Sequence, residues 1–291
     1  MTHAPEILRY AAFTSDPAGG NPAGLVLDAD GLDDAAMLRI AAEIGYAETA
    51  FIADGAAGAR RVRFFSPHAE VPFCGHATVA GAVAIAEREG PGHVRFATPV
   101  GDVDNATSEV DGAIRAAFTS VEPAVEEMPA PVLDALLGLT GIRAAALDPR
   151  HPPRIAFAGN RHPVLVVADQ DAFDRFAFDP AEARALMDEQ GWPATITVLH
   201  PLADATGDAD VSGGLRFEAR NIFPVGAIVE DPATGAAAAA VGGYLRALGA
   251  VEPPARVVIR QGRHVGRPSE LVVDIPERGG IVVSGTAVPI R

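Results

Sequence analysis

The chain has 291 residues, a formal net charge of −15 and one cysteine. That length suits two domains, each able to bury a core; the acidic balance excludes a phosphate backbone or an anionic membrane surface as the main partner; and a single cysteine excludes an intramolecular disulfide. The opening residues MTHAPEILRYAAFTSD lack the apolar core of a secretory signal, and the longest apolar run, Gly235 to Leu245, is well short of the roughly 20 residues a membrane span needs. A cytoplasmic protein with no nucleic-acid or membrane partner is expected.

In chain order, FTSDPAGGNPAG (13–24) lies between two strand patterns, so its glycines do not form the strand-to-helix loop of a dinucleotide site. An amphipathic helix follows, starting near Asp33 and stopping at Gly45. YAETAF (46–51) reads as a strand carrying one carboxylate, Glu48, among small and apolar residues. VRFFSPHAEVPFCGHATVAGAVAIAEREG (62–90) then gives strand, turn, polar cluster and a helix predicted over 78–89. That helix is apolar nearly all round, which places it at the centre of something and not on a surface. A strand at 114–120 leads to the Pro-rich stretch VEPAVEEMPAPVLDA (121–135), read as a linker.

The second half says the same things again. GNRHPVLVVAD (159–169) echoes GGNPAGLVLDAD (19–30), and the next helix has Asp179 as N-cap, Pro180 at its first position and Gly191 at its end. LRFEARNIFPVGAIVEDPATGAAAAAVGGYLRALG (215–249) repeats strand, turn, polar cluster and an apolar helix over 235–248. The offset between matched positions drifts from 141 at Pro22/Pro163 to 146 at Gly45/Gly191 and 153 at Arg63/Arg216, as insertions in loops between paired strands would make it. Further strands are expected at 154–159, 164–169, 255–261, 270–276 and 280–290. Short, turn-separated strands with few helices between them exclude a doubly wound parallel sheet. The expected class is α+β: two pseudo-symmetric domains, each a curved, mostly antiparallel sheet wrapped about its own central helix. The expected boundaries are 1–125 plus 280–291 for the first and 126–279 for the second, the last strand returning to the first.

The chemistry is expected where the two apolar helices begin. The first N–H groups of a helix have no internal partner and sit at the positive end of its dipole, so two such starts facing one cleft would grip a small carboxylate. Cys74, Gly75 and His76 precede the first helix; Asp231, Thr234 and Gly235 precede the second. Taken singly, Thr78 and Thr234 read as ordinary caps and the glycines as turns. Glu48 has Ala194 as its counterpart, counted from the helix-ending glycines, so this carboxylate does not belong to the duplicated scaffold. His151, His162, His200 and His264 lack ligand spacing, and no metal or cofactor is expected.

FTSDPAGGNPAG, YAETAF, FFSPHAEVPFCGHAT (64–78), EDPATGAAAAA (230–240) and QGRHVGRPSE (261–270), in this order along nearly the whole chain, resemble the phenazine-biosynthesis PhzF-like family, relatives of diaminopimelate epimerase. The resemblance implies the diaminopimelate epimerase-like fold, an inter-domain active site, cofactor-free proton transfer and a homodimer. It puts the acid–base role on Glu48, pocket roles in catalysis on His76 and Asp231, and substrate contact on Asn21. A carboxylate partly buried at Glu48 would have its pKa raised toward the operating pH, and a histidine titrating near neutrality would suit delivery to a second carbon. Asp231 reads equally as a cap of the Pro232–Thr234 turn.

Two departures qualify the match. The counterpart of Cys74 is Pro232, which excludes a two-thiol racemase; Cys74 stays open as packing, as a substrate contact, or as the thiol of a one-cysteine epimerase with a non-thiol partner. Ala236 stands where many relatives carry serine. The function expected is an isomerase moving a proton within a small carboxylate-bearing substrate, amino-acid-like or cyclic, against a non-catalytic small-molecule-binding role on the same fold.

Overall fold

The computed structural model describes residues 5–202, 215–224 and 228–291, so 225–227 of the second repeat lie outside the described residues. The chain divides into two compact units, Met1–Thr119 with Ser284–Arg291, and Ser120–Val283. The first holds β1 (Leu8–Ala12), β2 (Asn21–Val26), α1 (Asp34–Ile44), β3 (Glu48–Asp54), β4 (Arg60–Phe65), β5 (Glu70–Val71), α2 (Gly75–Glu89), β6 (His93–Thr98), β7 (Gly101–Val110) and β8 (Ala113–Thr119). The second holds β9 (Ala124–Glu127), α3 (Ala130–Thr140), β10 (Arg154–Phe157), β11 (Arg161–Val166), α4 (Gln170–Arg175), α5 (Pro180–Gln190), β12 (Ile196–Leu202), β13 (Arg216–Ile222), β14 (Glu230–Asp231), α6 (Gly235–Ala247), β15 (Ala255–Gln261) and β16 (Ser269–Ile275); β17 (Val282–Pro289) ends the chain.

The duplication is written in the strand pairing. In the first unit β1–β2 is antiparallel, β2–β3 parallel, β3–β4 and β4–β5 antiparallel, β4–β6 parallel and β6–β7 antiparallel. In the second, β10–β11 is antiparallel, β11–β12 parallel, β12–β13 and β13–β14 antiparallel, β13–β15 parallel and β15–β16 antiparallel. Each parallel step passes over a helical segment, as parallel neighbours require. The fold is α+β. In the first unit β17 pairs with both β1 and β8, closing an eight-strand barrel; Tyr10 faces Pro289 and Ala12 faces Ala287 in antiparallel register.

Each sheet curves about one helix made of small residues. All twelve residues from Gly75 to Ala86 of α2 are buried, and the helix packs against β1, β2, β3, β7 and β8. α6 packs against β9, β10, β11 and β16. Its small residues are a steric requirement: a Cβ on Gly242 would stand 2.7 Å from Ile281 and 2.9 Å from Val273. The outer sheet faces are covered by amphipathic helices. Met37, Ile40 and Ala41, on one stripe of α1, are buried with Val26, Phe51 and Phe65. In the second unit Leu136 of α3, Phe173 of α4 and Met187 of α5 are buried with Leu165, Ile196, Val198 and Ile222.

The cap signals hold. Asp33 accepts from Ala36 N–H at 2.8 Å and Gly45 closes α1 in the left-handed region; Asp179 accepts from Ala181 and Glu182 N–H, Pro180 opens α5 and Gly191 ends it. Two expectations fail. The first central helix starts at Gly75, three residues ahead of Thr78, whose hydroxyl donates to the Cys74 carbonyl at 2.8 Å from inside the first turn. The stretch 121–135 is not a bare linker: it contains β9, paired with β10, and the start of α3, where Pro131 sits in the first turn and stops nothing.

Candidate active site

Five of the expected residues, Asn21, Glu48, Cys74, Gly75 and His76, lie in the first unit. Gly45, left-handed at φ 73°, ends α1 and redirects the chain so that Glu48 opens β3, alongside Ala23 of β2 in parallel register. Asn21 is the first residue of β2, and Cys74 is the N-cap of α2 with His76 in the first turn. Nε2 of His76 lies 3.5 Å from Oε2 of Glu48. On the ring's other side, Nδ1 accepts from Asn21 Nδ2 at 3.1 Å and stands 3.3 Å from Cys74 Sγ. With Nδ1 accepting, the ring proton sits on Nε2, aimed at the Glu48 carboxylate.

Burial decides the protonation of this histidine. His76 is 5% exposed, and desolvation pushes its pKa down to about 3. The expectation of a near-neutral titration at His76 is therefore corrected: the imidazole stays neutral at physiological pH, because burial strips the cation of its hydration. At rest the ring is a neutral hydrogen-bonding group and not an imidazolium. The Cys74 side chain does not cap α2, and Gly75 at its first position carries no Cβ between the helix start and an approaching group.

The other three residues belong to the second unit. Asp231 lies on β14 opposite Asn221, Thr234 is the N-cap of α6 and Gly235 its first residue. Thr234 does not cap the helix with its side chain; its hydroxyl donates to Asp231 Oδ2 at 2.5 Å. That bond is the turn-closing contact expected of Asp231.

One residue of this group carried no role in the sequence reading. Gln261, at the end of β15, accepts from Thr234 N–H at 3.2 Å and donates to the Asp231 carbonyl at 2.6 Å and to Thr234 Oγ1 at 3.0 Å. It opens the QGRHVGRPSE segment. The next residue, Gly262, is left-handed at φ 83°, and a Cβ there would stand 2.2 Å from the Arg267 carbonyl oxygen and 2.6 Å from that of Pro232. Beside Asp231, Glu230 forms a buried two-point ion pair with Arg220, at 2.5 and 3.1 Å. Arg220 also donates to the carbonyls of Phe173 and Phe176 at 3.0 Å each and lies 3.6 Å over the Phe176 ring. The remaining histidines of this unit are structural: His162 is fully buried with Nδ1 near Thr195, its pKa pushed down to about 4. His151 contacts Asp148, His200 the Val167 carbonyl and His264 Asp174.

The family model for phenazine biosynthesis-like proteins matches residues 10–291. The chain belongs to that family. An uncharacterized isomerase of Mesorhizobium japonicum is 33% identical, over 95% of this chain and 92% of its own length. The trans-2,3-dihydro-3-hydroxyanthranilate isomerase of Pseudomonas fluorescens is 31% identical, over 89% of this chain and 86% of its own. A PhzF-family phenazine biosynthesis protein of Bacillus anthracis superposes with a TM-score of 0.84 at 26% identity, covering 98% of this chain and 96% of that one. This chain is an isomerase of the PhzF-like type, on the epimerase-like fold. Among the described residues no helix is long and apolar enough to cross a membrane.

Proposed function

We propose that this family member moves a proton within a small carboxylate-bearing substrate, amino-acid-like or cyclic, without a cofactor. The observation that carries the reading is the Glu48 carboxylate facing the neutral His76 N–H at 3.5 Å, with Asn21 and Cys74 on the ring's other side. Glu48 removes a proton from a carbon made acidic by the neighbouring unsaturation or carboxylate. Its conjugate acid returns that proton to a second carbon, so substrate and product have the same atoms. His76 holds the Glu48 carboxylate in position and relays the proton without charging at rest. A contact of 3.5 Å shortens readily once substrate excludes water, and apo geometry of this kind is common for acid–base pairs.

Gly75, at the start of α2, is assigned to the substrate carboxylate, which the unpaired N–H groups and the helix dipole favour. Asp231, Thr234 and Gly235 are assigned to holding the substrate's polar groups, with Asp231 supporting proton transfer. The name of the Pseudomonas fluorescens relative supports a cyclic amino acid as substrate class. Ala236 lacks a hydroxyl near the α6 start, so the proposal stops at this class and does not extend to that compound itself. The homodimer implied by the family and the cytoplasmic location expected from the sequence belong to this proposal.

A second reading, a one-cysteine epimerase, is favoured by the 3.3 Å approach of Cys74 Sγ to His76 Nδ1, a thiol beside a base. The test common to both is incorporation of solvent deuterium into a panel of small amino and cyclic hydroxy or amino acids, with chelator present. Exchange at carbon under those conditions is the expected result; a panel covering these classes with no exchange would contradict both readings.

A further inference from the structure

One face of the second unit's sheet carries a polar row that the first unit lacks. Asn221 of β13 stands opposite Thr197 of β12 on one side and Asp231 of β14 on the other, in antiparallel register, so the three side chains share a face. The alternate residues Ile196, Val198 and Ile222 lie in the core with α3, α4 and α5. The row therefore points the other way, where Asp231 reaches the N-cap of α6 through the Thr234 hydroxyl. In the first unit the same register runs Ala50, Phe64 and Val71. Val71 and Asp231 each stand four residues ahead of the first residue of their central helix, which fixes the correspondence. The duplicated scaffold folds with apolar residues at these positions, so the polar row answers to something besides the fold.

The row is pinned from behind. His162 Nδ1 lies 3.1 Å from the Thr195 carbonyl oxygen and 3.0 Å from the Thr195 hydroxyl. A carbonyl only accepts, so the ring proton sits on Nδ1 and the Thr195 hydroxyl is left to donate onward. It donates to Asn221 Oδ1 at 3.2 Å, and Thr197 donates to the same oxygen at 2.7 Å. Neither hydroxyl has another acceptor among the described residues, so Oδ1 is held on the threonines and both Nδ2 donors are turned away from them. Those donors meet no acceptor among the described residues, although Asn221 is only 1% exposed. His162 Nε2 is likewise buried without a partner among them. A buried network left open in this way stabilises less than an apolar filling would, and unpaired polar atoms in a native core are rare.

We infer that Asn221 is a specificity-determining residue, whose amide donates to an acceptor oxygen of the substrate next to the polar group that Asp231 holds. Opposed side chains on antiparallel strands have Cβ atoms about 5 Å apart. That spacing suits an amino or hydroxyl group and a carboxylate or carbonyl oxygen on neighbouring carbons, the pattern of an amino or hydroxy acid. A fixed donor beside a fixed acceptor rejects a compound lacking either group, because the protein's own polar atoms would then stay buried and unpaired. His162, Thr195 and Thr197 act through Asn221 and are positioning residues. The substrate class and the part of Asp231 rest on the reading above, whereas the aim of the Asn221 amide rests on the row itself.

The test is a binding titration of the full-length protein, followed by ligand-observed NMR, with the same panel of small amino acids and cyclic hydroxy or amino acids. Asn221→Asp keeps the shape and the acceptor for both threonines, and exchanges the two donors for a second oxygen. It should weaken binding on the order of 10- to 100-fold, and Asn221→Ala, folded by circular dichroism, should lose affinity as well. A second arm needs no ligand. Asn221→Leu combined with Thr195→Val and Thr197→Val fills the row with apolar groups, as the first unit does, and its thermal midpoint should equal or exceed the parent's. A midpoint below the parent's would make the row structural and overturn the assignment, as would a parent protein that binds no member of the panel. An acid that exchanges deuterium and binds Asn221→Asp as it binds the parent would overturn Asn221 and leave the proton-shuttle reading standing. An acid bound with the expected loss but never exchanged would contradict the shuttle and leave Asn221 in place.

Discussion

Oε2 of Glu48 faces Nε2 of His76 at 3.5 Å across a buried neutral imidazole, so the pair is a carboxylate against an N–H dipole and not an ion pair. The same neutrality makes stability depend on pH. The unfolded chain protonates histidine near 6.5, whereas folded His162 resists down to about 4 and folded His76 to about 3. Both folded values are depressed, so their effect is absent above pH 6.5, and stability falls as pH drops from there toward 4. The loss is up to about 1.4 kcal/mol per pH unit for each histidine. Urea unfolding at pH 7, 6 and 5 checks this, and His162→Gln should flatten the slope. A stability independent of pH over that range would contradict the neutral burial of both rings.

The ion pairs of the second unit should separate sharply by burial. Arg220 and Glu230 are both buried and hydrogen-bonded at two points, and Arg220 also satisfies the carbonyls of Phe173 and Phe176. Arg220→Ala strands the Glu230 charge, and the expected cost is about 3–5 kcal/mol. Because Glu230 adjoins Asp231 on β14, turnover should fall with stability. Arg184→Ala, which removes an exposed helix pair with Asp188, should change the denaturation midpoint little.

Two glycines with nearly the same backbone should respond differently to alanine. Gly262 and Gly279 have φ of 83° and 81°. Nothing lies within 4 Å of a Cβ on Gly279, so Gly279→Ala should cost only the left-handed penalty, about 1–2 kcal/mol. A Cβ on Gly262 meets the carbonyl oxygens of Arg267 and Pro232; both are backbone, and the second belongs to the entry to α6. Gly262→Ala should therefore cost more than Gly279→Ala and lower turnover as well; equal midpoints by thermal unfolding would show that the entry loop adapts.

Gln261 should behave as a positioning residue. Removing its amide in Gln261→Ala leaves the Asp231 carbonyl and the Thr234 N–H without this partner, at an expected cost of about 1–3 kcal/mol. Turnover should drop while the pH profile keeps its shape, since Gln261 does not titrate. A shifted pH profile would instead give it a part in proton transfer.

What could be read from the chain follows from how local the signals are. Asp33, Gly45, Asp179, Pro180 and Gly191 mark helix ends because caps act within one turn. The apolar runs at 78–89 and 235–248 announce buried central helices because nothing else tolerates so many small residues on all faces. The start of α2 lies three residues ahead of its sequence expectation because Thr78, which looks like a cap, bonds back through its hydroxyl to Cys74 from inside the helix. α3 was hidden by prolines that break a helix interior but suit a first turn. Motif resemblance points to Asn21, Glu48 and His76, but the low pKa of His76 follows from its burial in the folded chain. Gln261 reaches Asp231 and Thr234 from 30 and 27 residues away, and no local pattern signals such a bond.

The most direct test of Glu48 as proton carrier is solvent-deuterium incorporation into an identified substrate by Glu48→Gln and by Cys74→Ser. The amide keeps the shape of the side chain and loses the titratable group, so Glu48→Gln should bind substrate with little change while exchange falls on the order of 10²-fold or more. Cys74→Ser should lose far less. The opposite ranking, with Cys74→Ser inactive and Glu48→Gln exchanging at nearly the parent rate, would contradict the role given to Glu48 and move the proton to the thiol.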